Sequence, residues 1–300
     1  MQIGDVIQGI ASELSGYAYL INKALGVPGL FGQALLGQRT DTAEEVVLKT
    51  MRADRSADDR ERFFEEGRTL TRVAAAEDQA GRHYAVRLLD QSAPEAPEIF
   101  LVLERATGQN VLEDLVDPVV DWQSAPLGEA LALDIAWHFA QALRLAHQAG
   151  VCYDDMKLDN LFWNPAQPDD PLRVIDWNVT SSVAARGGVA GDWARFGARL
   201  YELRTGQRIG VSYDGTVLGA GPGGPIWQAL PEGLRDLIEQ ALAMRYTDDD
   251  ALLRDLRRER EQAGAAWPEL LERATIADGS GQAIEVLAPA HLQGLQGDGG

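Results

Sequence analysis

Residues 147–178, HQAGVCYDDMKLDNLFWNPAQPDDPLRVIDWN, constrain this chain more than any other segment. Two short apolar runs, Leu161–Trp163 and 172–175, flank a turn rich in Pro and Asp and read as a pair of short strands. Asp155 and Asn160 stand just ahead of the first run, and Asp176 ends the second. That pattern offers hard oxygen ligands for a cation such as Mg²⁺ and leaves one carboxylate to accept a hydroxyl proton. Taken alone it fits an ordinary acidic loop equally well. Its weight depends on what accompanies it, and in what order.

Ahead of it the chain favours strands. Residues 43–50 (AEEVVLKT), 82–89 (RHYAVRLL) and 99–104 (IFLVLE) carry β-branched and apolar residues. Between the first two, 56–73 predicts a helix with Phe63, Phe64, Leu70 and Val73 inward behind an acidic first turn. After Pro126 the periodicity turns helical. Residues 127–149 place Leu131, Ile135, Phe139, Leu143 and Ala146 on one stripe, stopped by Gly150, and further helices are predicted over 192–204, 233–243 and 248–261. Strands first and helices afterwards give an α+β chain of two unequal lobes. The Gly/Pro run 219–225 predicts a loop and 292–300 a loose tail.

Composition narrows the function. Twenty-seven basic against 46 acidic residues, a formal charge of -19, argue against a protein that grips a phosphate backbone. Cys152 alone can build neither an internal disulfide nor a Cys zinc site. The first residues carry Asp5 and Glu13 without a basic leader, and no window approaches the roughly 20 apolar residues of a membrane span. The chain therefore reads as cytoplasmic, with no membrane span and no nucleic-acid partner. Only three residues are Lys: Lys23, Lys49 and Lys157. In a chain that writes nearly all its positive charge as Arg, two of them fall in the segments that matter below.

YDDMKLDNLFW resembles the catalytic loop of protein kinases, and VIDWN resembles their metal-binding D-F-G. The resemblance extends in order along residues 17–260. LGVPGLFGQALLG is similar to the glycine-rich phosphate-covering loop, with Gly29, Phe31 and Gly32 at the matching spots. VVLKT places Lys49 where the family has its phosphate-binding Lys, and FEEGRTL places Glu66 as its ion-pair partner, Glu65 being the competing candidate. FLVLERATG resembles the hinge, which implies that backbone groups of Glu104 and Ala106 bind an adenine edge with Leu103 at the back of the pocket. GDWARFGARLYEL resembles the central helix of the large lobe, Asp192 tying down the catalytic loop. The resemblance implies ATP and Mg²⁺ as cofactors, Asn160 and Asp176 as metal ligands, and Asp155, Lys157, Lys49 and Glu66 as catalytic residues.

The implied organisation is an N-terminal extension (1–16), a protein-kinase-like domain (17–262, with a β-rich N-lobe to about 104 and a helical C-lobe from about 107), and a C-terminal extension or tail (263–300). The implied activity is phosphoryl transfer to a hydroxyl, foremost Ser/Thr of a protein, with a protein substrate or regulatory protein as partner. Several features depart from the family: the glycine-rich loop has Val27-Pro28 where the family places a second glycine, and Trp177-Asn178 replaces Phe-Gly. Tyr153-Asp154 replaces His-Arg, and only 15 residues separate Asp176 from Asp192, with no A-P-E. They keep open a pseudokinase-like nucleotide-binding scaffold and a small-molecule kinase. Read by themselves, His147 packs or caps a helix end, Trp137, Trp163 and Trp193 pack, and Cys152 has no activating neighbour in local sequence.

Overall fold

The computed structural model describes residues 1–26, 32–52, 54–116, 127–185 and 187–264, and the backbone of 271–277 and 283–289. The chain opens with strand β1 (Val6–Ile7) and helix α1 (Ile10–Ser15). Strands β2 (Tyr19–Leu25), β3 (Gly32–Arg39) and β4 (Glu45–Met51) then run antiparallel. Helix α2 (Ala57–Ala80) follows, and β5 (Leu88–Gln91) and β6 (Phe100–Glu104) complete a six-stranded sheet ordered β1-β2-β3-β4-β6-β5.

Alternation along these strands feeds two cores. Val46, Leu48, Phe100 and Val102 join Tyr19, Ile21 and Leu35 on one face, with Met1, Ile7 and Tyr17 packed against them. Leu101 and Leu103 point the other way, into the cluster that continues through the large lobe. Residues 1–16 are thus part of the small lobe's packing. The amides of Ala11 and Ser12 donate to the buried Asp90 carboxylate at 2.8 and 2.9 Å and hold α1 in place.

Helix α2 starts where Ser56 and Asp59 cap each other reciprocally, and it runs past the predicted end at Val73 until Gly81, at φ 63°, turns the chain. The strand predicted over 82–89 is the main local correction. Only Leu88–Gln91 joins the sheet. The Tyr84 and Ala85 amides are taken by the buried Glu77 carboxylate at 3.0 and 2.7 Å, and Val86 donates to Val174 of the large lobe. That segment straps the lobes together instead.

The large lobe contains β7 (Gln109–Asn110), α3 (Glu129–Gln148), β8 (Val151–Tyr153), β9 (Leu161–Trp163), β10 (Leu172–Val174), β11 (Thr180–Ser182) and α4 (Gly188–Thr205). After these come β12 (Gly210–Val211), β13 (Val217–Leu218), α5 (Gly224–Ala229), α6 (Glu232–Leu242) and α7 (Asp249–Gln262). The predicted α3 stripe is inward: Ile135, Phe139, Leu143 and Ala146 are buried, with Leu131 at its edge. Two boundaries shift. Helix α4 begins at Gly188, four residues before the predicted start, so Asp192 lies inside the helix. Helix α5 begins inside the predicted 219–225 loop, with Pro225 in its first turn. Within 263–300, read as an extension or tail, β14 (Leu271–Ala277) and β15 (Ala283–Pro289) pair antiparallel; the predicted loose end 292–300 lies outside the described residues. The architecture is α+β and two-lobed. No helix among the described residues is long and apolar enough to cross a membrane.

Candidate active site

Two segments remote in sequence meet at one ammonium. Lys49, on β4, donates to Glu66 Oε1 at 2.6 Å and to Asp176 Oδ1 at 2.5 Å. Glu66 is buried on α2, whereas Glu65 is half-buried and pairs with Arg68 and Arg72. Burial works against the Lys49 charge, but the two carboxylates outweigh it and hold the ammonium protonated well above its usual range. Lys49, Glu66 and Asp176 line one cavity of about 550 Å³, bounded also by Gly32, Phe63 and Asn178. Gly32 has a packing reason for lacking a side chain: a Cβ there would sit 1.7 Å from the Thr50 carbonyl oxygen. Gly29 and Phe31 lie outside the described residues.

Asp176 follows β10 with φ 62°, a left-handed conformation that Asp tolerates better than most residues. Beneath it Trp177 is buried, its ring centroid 4.7 Å from that of Tyr153. Asn160 is held through its amide nitrogen by Tyr153 Oη at 3.0 Å and the Asp155 carbonyl at 3.1 Å, while its backbone carbonyl accepts from the Ile175 amide. Its side-chain oxygen is therefore oriented independently of any ligand. Asp155 accepts from Lys157 Nζ at 2.8 Å. Tyr153, standing where the family pattern has His, donates to the Ile175 carbonyl at 2.8 Å and so ties its own loop to the turn at Asp176.

Asp192 anchors this loop from below. Its Oδ2 accepts from the Tyr153 amide at 2.8 Å and faces His147 Nε2 at 2.8 Å. His147 is bound on its other nitrogen by Asp249 at 2.7 Å. Burial alone would lower the His147 pKa, but bonds to Asp192, Asp249 and Cys152 carry it to about 11, so it is an imidazolium. His147 packs at the end of α3, as read from sequence, its ring edge-on to Trp193 at 5.3 Å, and is in addition a charged bridge among α3, α4 and α7. The same contact supplies the neighbour that local sequence did not give Cys152; that thiol is buried and its pKa raised, foremost by burial.

The profile of the protein kinase domain matches residues 19–196, which include every residue placed above except Asp249. This chain belongs to the protein kinase domain family.

Among curated relatives, this kinase-domain chain is 26% identical over 166 residues to "Serine/threonine-protein kinase pkn3" of Myxococcus xanthus, covering 54% of this chain and 28% of that protein. It is 25% identical over 219 residues to "Protein kinase C-like 1B" of Caenorhabditis elegans, covering 65% and 29%. To "Probable serine/threonine-protein kinase 2" of Plasmodium falciparum (isolate K1 / Thailand) it is 27% identical over 165 residues, covering 54% and 29%. The chain thus spans under a third of the length of these relatives.

Leu103, Glu104 and Ala106, which the sequence resemblance assigns to the hinge, are not among the described residues that line the 550 Å³ cavity. Leu103 is buried and pairs with Val47, which puts it on the same sheet face as Lys49. The Glu104 amide is spent on the Arg87 carbonyl, and Ala106 packs half-buried against the main core. The Glu104 carboxylate is the part that sequence did not explain. It accepts from His83 at 2.7 Å, the Arg87 amide at 3.1 Å and Arg173 at 3.3 Å. Burial pushes its pKa up, but His83 and Arg173 outweigh that and hold it below the usual range.

Asp154, where the family pattern has Arg, is paired from the opposite side. Arg195 on α4 donates to Asp154 at 2.7 Å and to Asp192 at 2.6 Å, and its other terminal nitrogen donates to the Tyr213 carbonyl at 2.8 Å. Nothing in the local spacing of Arg195 marks this role. The signal available in sequence was the acid at 154, which needs a base from elsewhere.

Proposed function

We propose that this chain transfers the γ-phosphoryl group of ATP, in the presence of Mg²⁺, to a hydroxyl, foremost that of Ser or Thr in a protein. The observation that carries this reading is the joint ion pair of Lys49 with Glu66 and Asp176 beside one cavity. Lys49 binds the α and β phosphates, kept in place by Glu66. The donor set suits a hard divalent cation, since Asp176 and Asn160 offer only oxygen and the Asn160 amide is already fixed by its two acceptors. Mg²⁺ held there supplies charge neutralisation at the transferring phosphate.

Asp155 orients the acceptor hydroxyl and takes its proton. A new bond forms between that oxygen and the γ-phosphorus as the bond to the β-γ bridging oxygen breaks, and ADP leaves with the electron pair. Lys157, bonded to Asp155, stands ready to meet the γ-phosphate. The test is label transfer from γ-labelled ATP to generic protein acceptors. Asp155→Asn should lower turnover by about two to four powers of ten with an unchanged thermal midpoint; equal transfer by both proteins refutes the reading.

A second reading, a silent nucleotide-binding scaffold, is favoured by the short segment before α4. Mg-ATP binding with no turnover of ATP to any acceptor, water included, would support it.

A further inference from the structure

A second cavity, of about 480 Å³, opens beside the catalytic loop, and its walls have two origins. One wall is the loop itself, with Asp155, Met156 and Lys157; the other is the β12–β13 hairpin, with Val211, Tyr213 and Leu218. The size lies in the range of sites that enclose a compact ligand. The hairpin is built into the catalytic centre. Arg195 joins the Tyr213 carbonyl to Asp154, the residue next to Asp155, and Arg199, one turn on, donates to the Ile209 carbonyl at 2.9 Å.

The turn of the hairpin also lies directly on the start of α4. A Cβ on Gly215 would be 2.8 Å from the Gly191 Cα, and one on Gly187 would be 3.0 Å from the Asp214 Cα. The short connection from Asp176 to α4 therefore leaves room that the hairpin fills. Tyr213 and Leu218 are 67% and 57% exposed and line the same cavity as the Asp155 carboxylate. The charged groups of the catalytic-loop wall are internally matched, Lys157 to Asp155 and Asp154 to Arg195, which leaves apolar surface as the unpartnered feature.

We propose that the β12–β13 hairpin is the acceptor-binding wall of this chain, and that Tyr213 and Leu218 select a Ser/Thr acceptor in a polypeptide carrying a large apolar residue next to it. This rests on the phosphoryl-transfer reading above. The hydroxyl meets Asp155 and the neighbouring apolar side chain covers Tyr213 and Leu218. A continuous cavity containing both the proton acceptor and the exposed apolar pair accommodates both parts of such a substrate.

The test uses the full chain, Mg-ATP and a degenerate Ser/Thr peptide library with one position fixed at a time, read by mass, with ADP release measured in parallel. Wild type is expected to prefer Leu, Ile, Met or Phe beside the acceptor. Tyr213→Ser/Leu218→Ser, at exposed positions, is expected to lose that preference and to raise the KM for the best peptide by about tenfold or more, the discrimination an apolar contact of this size supplies. Its dissociation constant for Mg-ATP should stay at the wild-type value. The same peptide preference in both proteins, or no apolar preference in wild type, overturns the proposal. Transfer only to free small hydroxyl compounds, or ADP release with no peptide modified, overturns the acceptor assignment and leaves phosphoryl transfer standing. No ADP release under any condition overturns both.

Discussion

Arg195 donates to Asp154 at 2.7 Å, so the catalytic loop carries its acid where the family pattern has a base, and the base comes from α4. Arg195 is 5% exposed and Asp192, its other partner, fully buried. Arg195→Met should cost about 3–5 kcal/mol, because it leaves the Asp154 carboxylate without its counter-charge and Asp192 with His147 alone. Denaturant midpoints check this, and Asp154→Asn combined with Arg195→Met should recover part of the loss. Since the pair is intramolecular, phosphatase treatment should leave turnover unchanged. An activity that vanishes on dephosphorylation would contradict this assembly.

Asp176 is the proposed metal ligand, and its backbone sits at φ 62°. Asp176→Asn keeps a residue that tolerates this conformation. The fold should survive while the Mg²⁺-dependent part of ATP binding disappears. Thermal shifts with ATP alone and with Mg-ATP should become equal in the variant, whereas wild type should show a further rise with Mg²⁺.

His147 makes stability depend on pH in a defined direction. Its pKa is about 11 in the folded chain against 6.5 for the free side chain, because Asp192, Asp249 and Cys152 together overcome burial. Its contribution is therefore fully present below the unfolded value and fades as pH rises from there towards 11. Urea midpoints between about pH 6 and about pH 10 should fall more steeply in wild type than in His147→Gln.

Gly32→Ala is expected to act on the site through the sheet. The added carbon would collide with the Thr50 carbonyl, one residue from Lys49, and force β3 and β4 apart. A loss of about 1–3 kcal/mol with weaker ATP binding is expected, measured by thermal midpoint and nucleotide titration.

The elements readable from sequence were those whose local pattern agrees with their tertiary use. Helix α3 carries its inward stripe in its own periodicity, and the acidic first turn after Ser56 marks the start of α2. Residues 82–87 look like a strand for the same reasons that 43–50 do, yet the buried Glu77 carboxylate near the end of α2 takes the Tyr84 and Ala85 amides, and Val86 donates to the large lobe, a contact with no local mark. Lys49, Glu66, Asp155, Asn160 and Asp176 could be named because their spacing is tied to motifs. Arg195, Asp249 and the Glu104–His83–Arg173 cluster could not, since each acts through a contact between elements whose sequence separation follows no rule.

The indole of Trp177 gives the turn at Asp176 a mechanical property of its own. It is 1% exposed and its nitrogen donates to the Val174 carbonyl at 3.1 Å. Swinging the carboxylate outward would drag a two-ring side chain from the interior and leave a void, at a cost on the order of 3–5 kcal/mol. Inhibitors that must pry this turn open would face that penalty before making any contact, whereas compounds shaped to the cavity as it stands would not.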